Sequence, residues 1–265
     1  MTRAVPVMLA AILLHATLAV AETPEEKGQR IAIEARTYDQ GFGDFTVDGK
    51  MILRDKRGRE SIRTFTHRRL ETLNDGDKSL NVFSWPRAIN GTALLTFTHR
   101  TGSDDQWLYL PALKRVKRIS SSNKSGPFVG SEFAYEDLSS REVEKYTYKW
   151  LRDEPCPGAK KLSCFVIESY PTDKKSGYSR QVIWMERKTY RPFRIDYYDR
   201  KGALLKTLTV GGYRVYLRKH WRAKKFVMRN HQTGKSTELI WQHYRFRTGL
   251  SGRDFNKSSL RRVRR

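Results

Sequence analysis

The chain is predicted to be mainly β, with one antiparallel sheet of about eleven strands in a single domain. From Phe45 onwards, apolar and polar residues alternate with a period of two over most of the chain. Short turn sequences separate these stretches, as at residues 55–58 and 199–202, both of which end in Gly. Helical patterns occur only at the start and near the middle, including residues 139–144, and no linker rich in Pro, Gly or Ser divides the strands.

Residues 1–21 have the pattern of a cleaved signal peptide. Arg3 precedes an apolar stretch at residues 5–18, and Ala19-Val20-Ala21 supplies the small residues required before cleavage between Ala21 and Glu22. The apolar stretch is too short to span a bilayer comfortably, and a lipoprotein would need Cys in place of Glu22. We therefore expect a soluble periplasmic protein with one domain at residues 22–265. An uncleaved N-terminal anchor is the alternative.

The first segment after the leader is predicted to be a helix. Thr23 and Glu26 have the spacing of a capping box, and Pro24 stands at the first helical position. Ile31, Ala35 and Tyr38 then form an apolar stripe that must cover another part of the molecule.

Strands are predicted along the rest of the chain. They fall at residues 45–49, 62–73, 79–85, 92–99, 107–110, 114–119, 146–151, 163–170, 180–185, 193–198, 204–210, 221–230 and 237–246.

Cys156 and Cys164 are the only cysteines of the chain. An even count at close spacing in an oxidising compartment predicts one local disulfide. The short loop would gain about 2–3 kcal/mol of stability. A metal site is disfavoured because no further Cys or His accompanies the pair.

The formal charge of +24 falls by one, to about +23, when Arg3 leaves with the leader. Such a field attracts polyanions. Behind a signal peptide, these are phospholipid headgroups and lipopolysaccharide phosphates rather than nucleic acid. The basic strand formed by Lys114, Arg115, Lys117 and Arg118 is the candidate docking surface for an anionic membrane or an acidic partner. Ordinary solvation of surface charge is the alternative.

Catalytic interpretations find little support. The five His residues after the leader lack ligand spacing, and Ser131 lacks the following glycine of a nucleophile elbow. No phosphate-binding loop is present. The acidic cluster Glu132, Glu136 and Asp137 is better explained by structural ion pairs with Lys114, Arg115 or Arg118 than by acid–base catalysis. We therefore expect no enzyme activity, no metal and no cofactor.

Residues 107–138 are the most informative part of the chain. An aromatic strand at residues 107–110 ends at Pro111, the basic strand follows, and Phe128, Phe133 and Tyr135 then lie on a segment jointed by Gly126 and Gly130. Large apolar groups on a flexible segment suit the binding of an apolar ligand. A buried hairpin with a packing loop is the alternative.

This segment closely resembles the signature of the outer membrane lipoprotein-sorting proteins, the LolA/LolB-like superfamily, and in particular the branch associated with RND-type lipid exporters. The resemblance implies an incomplete barrel, in which a curved sheet wraps around an N-terminal helix and a central loop-helix insertion and leaves an apolar cavity. The candidate lipid-binding residues of the lid and cavity are Trp107, Tyr109, Leu110, Phe128, Phe133, Tyr135, Trp184, Tyr197 and Trp241.

The function expected from the resemblance is that of a soluble periplasmic carrier. It would shield a lipid or the acyl chains of a lipoprotein between an inner-membrane RND-type exporter and the outer membrane. Two alternatives stay open: an accessory subunit of such a transporter that carries no cargo, and a periplasmic hydrolase. The sequence does not identify the cargo.

Overall fold

The computed structural model describes residues 21–258 and residue 260. The predicted signal peptide therefore lies almost wholly outside the described residues. The elements are one helix, α1 (Pro24–Asp39), and the strands β1 (Asp44–Arg54), β2 (Glu60–Leu70), β3 (Lys78–Trp85), β4 (Ala93–Phe97), β5 (Asp105–Leu110), β6 (Arg115–Ile119), β7 (Tyr146–Cys156), β8 (Ala159–Pro171), β9 (Tyr178–Glu186), β10 (Pro192–Asp199), β11 (Leu204–Tyr216), β12 (His220–Asn230) and β13 (Ser236–Phe246).

The strands form one antiparallel sheet in the order β6-β5-β4-β3-β2-β1-β13-β12-β11-β10-β9-β8-β7. Within the described part of the chain, β6 and β7 are the two edges and do not pair with each other, so the curved sheet is not closed into a barrel. The predicted fold class is confirmed. The sheet has thirteen strands rather than about eleven, because the predicted aromatic and basic strands, β5 and β6, belong to it together with the other eleven.

Helix α1 begins with the predicted capping box, because Thr23 accepts from the Glu26 backbone and Glu26 accepts from the Thr23 backbone. Gly28 allows close packing on β7, since a Cβ there would lie 2.8 Å from the backbone nitrogens of Lys149 and Trp150. Ile31 is fully buried in a cluster with residues of β7, β8 and β9. The helix therefore covers the concave face near the β7 edge.

The insertion between β6 and β7, residues 120–145, covers the other part of the concave face. It consists of single 3-10 turns rather than a longer helix. Phe128 and Phe133 pack there with Phe83, Leu94 and Leu108 in the largest apolar cluster.

The opposite, convex face also carries apolar clusters. Trp107 and Tyr109 pack with the C-terminal residues Phe255 and Leu260. Trp184 packs with the disulfide between Cys156 and Cys164, which confirms the predicted pairing. Both faces of the sheet are therefore buried in places, although by different parts of the chain.

Candidate functional site

A cavity of about 530 Å³ lies between α1 and the concave face of the sheet. Its volume falls in the range of about 300–1,000 Å³ that is typical of small-molecule sites. Its apolar lining is formed by Ala32, Ala35, Phe42, Phe45, Val47, Tyr148, Ile167, Ile183, Met185, Ile195, Tyr213, Phe226, Trp241 and Tyr244.

Packed aromatic rings form one wall of this cavity. The ring centroid of Phe45 lies 5.7 Å from that of Tyr244, and the ring of Phe65 meets that of Trp241 edge-on at 5.5 Å. Such tilted and edge-to-face pairs are the arrangements that aromatic rings prefer. The wall is therefore a continuous apolar surface.

His67 is the titratable group in this apolar wall. Its Nδ1 lies 2.9 Å from the amide oxygen of Asn81, and its ring contacts those of Phe45 and Trp241. Burial lowers the pKa of His67 to about 4. The imidazole is therefore neutral near pH 7 and adds no charge to the cavity.

The rim of the cavity is polar, and several of its cations are paired with carboxylates. Arg69 lies 2.6 Å from Asp77, and Arg36 lies 2.9 Å from Glu144. Arg222 lies 2.6 Å from Asp39 at the end of α1. Because these three cations have carboxylate partners, they offer little free charge to an anionic ligand. Arg141 also lines the cavity and is hydrogen-bonded to the neutral side chains of Gln181 and Ser169.

Of the nine predicted lipid-binding residues, Trp241 lines this cavity. Trp107, Tyr109 and Trp184 lie in the clusters of the convex face. The others belong to or pack against the central concave cluster: Leu110, Phe128, Phe133, Tyr135 and Tyr197. A role of these eight residues in lipid binding stays a prediction.

The proposed lid, the segment around Phe128, is held against the sheet. Phe128 is 0% exposed, and its ring lies 5.5 Å from that of Phe83 and 5.7 Å from that of Tyr135. Its backbone N–H donates to Phe133 O at 2.7 Å. Contact of Phe128 with a ligand would therefore require the segment to move.

The acidic cluster of the insertion is structural, but its predicted partners were wrong. Asp137 pairs with Lys206 of β11 at 2.7 Å, in place of the basic strand β6. Glu136 accepts from Gly177 N and Ser176 Oγ, and Glu132 accepts from Asn230. These contacts fix the insertion to the loop before β9 and to β11 and β12. Because these segments are distant in sequence, no local pattern predicts the contacts.

The basic residues predicted for docking lie at one edge of the sheet. Lys114, Arg115, Lys117 and Arg118 are all exposed, and Arg118 lies 2.5 Å from Asp105 of the neighbouring strand. Exposure makes these side chains available to a partner, and it also fits the protection of an edge strand. Their docking role stays a prediction.

The structure places Ser131, the serine considered as a nucleophile, inside the insertion. The hydroxyl of Ser131 is buried and accepts from the backbone N–H of Phe133. Among the described residues, no three His, Cys, Asp or Glu side chains come together as a metal site. None of the described helices has the length and apolar character needed to cross a bilayer.

Sequence reasoning missed most of the cavity residues, including Phe42, Phe45 and Tyr244. The signal that could have found them is the helical stripe, because Ala35 and Tyr38 of that stripe line the cavity. The small side chain of Ala35 within this stripe indicates where the helix leaves space above the sheet.

Several solved structures and a family model resemble the chain. A family model described as that of an uncharacterised protein matches residues 75–262. An outer membrane lipoprotein-sorting protein domain from Vibrio parahaemolyticus is 55% identical, with a TM-score of 0.87, over 89% of this chain and 99% of that one. A DUF1329 family protein from Desulfovibrio piger is 30% identical, with a TM-score of 0.84, over 90% of this chain and 99% of that one.

A LolA superfamily protein from Nitrosomonas europaea shares the fold at 21% identity, with a TM-score of 0.68, over 87% of this chain and 98% of that one. No protein among the curated ones matches the chain. Identity and coverage to the first two structures far exceed what a shared fold alone would give. The chain belongs to the family of the outer membrane lipoprotein-sorting protein domain from Vibrio parahaemolyticus, together with the DUF1329 protein from Desulfovibrio piger.

Proposed function

We propose that the protein is a periplasmic carrier that holds a lipid, or the acyl chains of a lipoprotein, in the cavity under α1 during transfer from the inner to the outer membrane. The observation that carries this proposal is the cavity of about 530 Å³ with its apolar lining. The lipoprotein-sorting designation of the relative from Vibrio parahaemolyticus supports it. The proposal requires no enzyme activity and no cofactor.

The energetics of such a site suit a carrier. Each buried methylene contributes about 0.8 kcal/mol, so about ten of them would gain roughly 8 kcal/mol before the costs of association. Association costs of at least about 4 kcal/mol offset part of this gain, which without them would correspond to a dissociation constant on the order of 1 μM. The net affinity is therefore moderate, so the ligand can be released to an acceptor that buries more of the chain.

The proposal also includes the route of the protein. Cleavage after Ala21 would release residues 22–265 into the periplasm, an RND-type exporter would supply the cargo, and the basic strand would dock on the anionic membrane surface. The family resemblance is the support for the exporter. The exposure of the basic side chains is compatible with the docking role.

The proposal is tested by a substitution on α1 that places a large side chain in the cavity. Ala35 lines the cavity, so Ala35→Trp should occupy it without changing the sheet. Ile33→Trp is the matched control, because Ile33 lies on the same helix and is 49% exposed. Mass spectrometry of organic extracts should find acyl-chain lipids with the wild type and with Ile33→Trp, and several-fold less per folded molecule with Ala35→Trp.

Two outcomes would contradict the proposal that the protein carries a lipid in this cavity. Wild-type protein gently purified from the periplasm could contain no lipid and take up no apolar dye, as expected for an accessory subunit without cargo. Alternatively, Ala35→Trp could retain the full lipid content, in which case the ligand does not occupy this cavity.

A further inference from the structure

The sheet opens between β12 and β13. Both strands have eleven residues, but they pair only between Lys225–Arg229 of β12 and Ser236–Ile240 of β13. The remaining parts, residues 220–224 and 241–246, diverge, and we name the space between them the β12–β13 gap.

The strands on either side of this gap stay paired with their outer neighbours. β12 pairs with β11 as far as His220, and β13 pairs with β1 as far as Phe246. The gap is therefore a local separation within a continuous sheet rather than a frayed end. Side chains fill it in place of a backbone ladder, and the hydroxyl of Tyr244 reaches Ala223 O at 3.5 Å.

A second, smaller cleft of about 200 Å³ adjoins the gap. We name it the outer cleft; Gly212, Arg214, Tyr216, Lys224 and His243 contribute to its lining. Arg222, Trp241 and Tyr244 line both this cleft and the large cavity. The two spaces are thus separated by these shared side chains.

The charge of the outer cleft differs from that of the cavity rim. Arg214 and Lys224 are exposed, and within the described residues neither has a carboxylate within 4.0 Å. The nearby carboxylate of Asp48 is engaged by His243 at 3.1 Å and by Arg245 at 3.8 Å. The outer cleft therefore has two uncompensated cations, whereas Arg36, Arg69 and Arg222 at the cavity rim are paired.

We propose that the outer cleft binds the phosphate group of an amphiphile whose alkyl chain passes through the β12–β13 gap into the cavity. The proposal rests on the proposed function, because the cavity must accept an apolar chain. Arg214 and Lys224 would supply charge-assisted hydrogen bonds to the phosphate oxygens. Rotation of Trp241 and Tyr244 would admit the alkyl chain, since no hydrogen bond between the backbones of β12 and β13 has to break there.

Calorimetric titration with three probes tests this. Dodecyl phosphate has both parts of the ligand, dodecanol has only the chain, and inorganic phosphate has only the headgroup. The wild type should bind dodecyl phosphate at least about ten-fold more tightly than dodecanol, which corresponds to about 1.4 kcal/mol. Arg214→Gln/Lys224→Gln should remove this advantage and leave dodecanol binding unchanged.

Lys160→Gln/Lys161→Gln is the matched control, because it removes the same charge at exposed positions of β8 away from the cleft. Equal affinities of wild type and Arg214→Gln/Lys224→Gln for dodecyl phosphate would overturn the headgroup site. Inorganic phosphate binding as tightly as dodecyl phosphate would overturn the link between cleft and cavity. Failure of all chain-containing probes to bind would instead overturn the proposed carrier function.

A photoreactive dodecyl phosphate, labelled next to the phosphate, locates the headgroup directly. Crosslinks should map to residues 212–216, 222–224 or 242–244. Crosslinks confined to the cavity rim near residues 36–40 and 71–75 would overturn passage through the gap while leaving the cavity as the chain site.

Discussion

Replacement of Lys206 by Met should strongly destabilise the protein. Lys206 Nζ lies 2.7 Å from Asp137 and 3.0 Å from Glu132 O, and the side chains of Lys206 and Asp137 are each 5% exposed. The ammonium group also lies 5.1 Å and 5.3 Å from the ring centroids of Tyr178 and Tyr197. This buried pair joins the insertion to the sheet.

The magnitude follows from what remains after the substitution. Asp137 would keep only neutral donors, Tyr178 Oη at 2.8 Å and Ala134 N at 2.7 Å. An uncompensated buried charge costs about 3–5 kcal/mol. For a protein of this size, each kcal/mol shifts the melting temperature by about 2–4 °C, so we expect a decrease of roughly 10 °C.

Urea denaturation of a double-mutant cycle measures this effect. Lys206→Met/Asp137→Asn should be more stable than Lys206→Met alone, because it removes the buried charge. Lys225→Met is the control: Lys225 makes an ion pair with Glu238 at 2.8 Å, but its side chain is 52% exposed, and we expect a cost of at most about 1 kcal/mol. If Lys206→Met and Lys225→Met cost the same, the buried pair does not hold the insertion in place.

Three further outcomes are expected. Replacing Lys114, Arg115, Lys117 and Arg118 with Glu should weaken binding to anionic vesicles, and high salt should weaken binding of the wild type in the same way. If neither treatment changes the amount of protein that sediments with the vesicles, electrostatic docking is contradicted. Phe128→Ala should lower the free energy of unfolding by about 3–5 kcal/mol, because Phe128 is 0% exposed; an unchanged urea midpoint with reduced lipid content would instead identify a lid residue. The free energy of unfolding should fall as the pH decreases from 6.5 towards about 4, because in this window unfolded His67 binds a proton that folded His67 does not. His67→Gln should flatten this part of the pH profile. A pH dependence that is the same in His67→Gln would show that other groups cause the loss of stability.

The features that the sequence predicted well depend on local interactions. The capping box at Thr23 and Glu26 is set by residues three apart, and the disulfide between Cys156 and Cys164 closes a single hairpin. The hairpin turns are also local, so most strands could be recognised from alternation and from the residues between them. For the same reason the sheet was predicted as antiparallel.

The faces of the sheet could not be assigned in this way. Trp107 and Tyr109 alternate with Leu108 and Leu110, and the sequence does not specify which set meets the ligand cavity. The structure places Trp107 and Tyr109 against the C-terminal residues Phe255 and Leu260, more than a hundred positions away in the chain. Burial on both faces removes the usual contrast between a core side and a solvent side.

The β12–β13 gap could not be predicted from the sequence either. The sequence predicted residues 221–230 and 237–246 as one long pair. In the structure this pairing stops at Lys225 and Ile240, while β12 stays paired with β11 and β13 stays paired with β1. The register between β1 and β13 shifts between Thr46 and Asp48, and His243 has a positive φ of 55°. These irregularities belong to the pairing of strands that are distant in sequence, so the pattern within one strand does not show them.

The cavity arises from the sizes of the side chains on α1. Near the β7 edge, Ile31 is fully buried and Gly28 brings the helix into contact with the backbone of β7. Further along the helix, Ala32 and Ala35 face the sheet, and small side chains above an aromatic wall leave space that the backbone cannot close. Because a buried apolar surface and an unfilled one have the same hydrophobic pattern, the sequence could indicate the covering helix but not the space beneath it. Ala35→Trp therefore tests the feature of the fold on which the proposed function most depends.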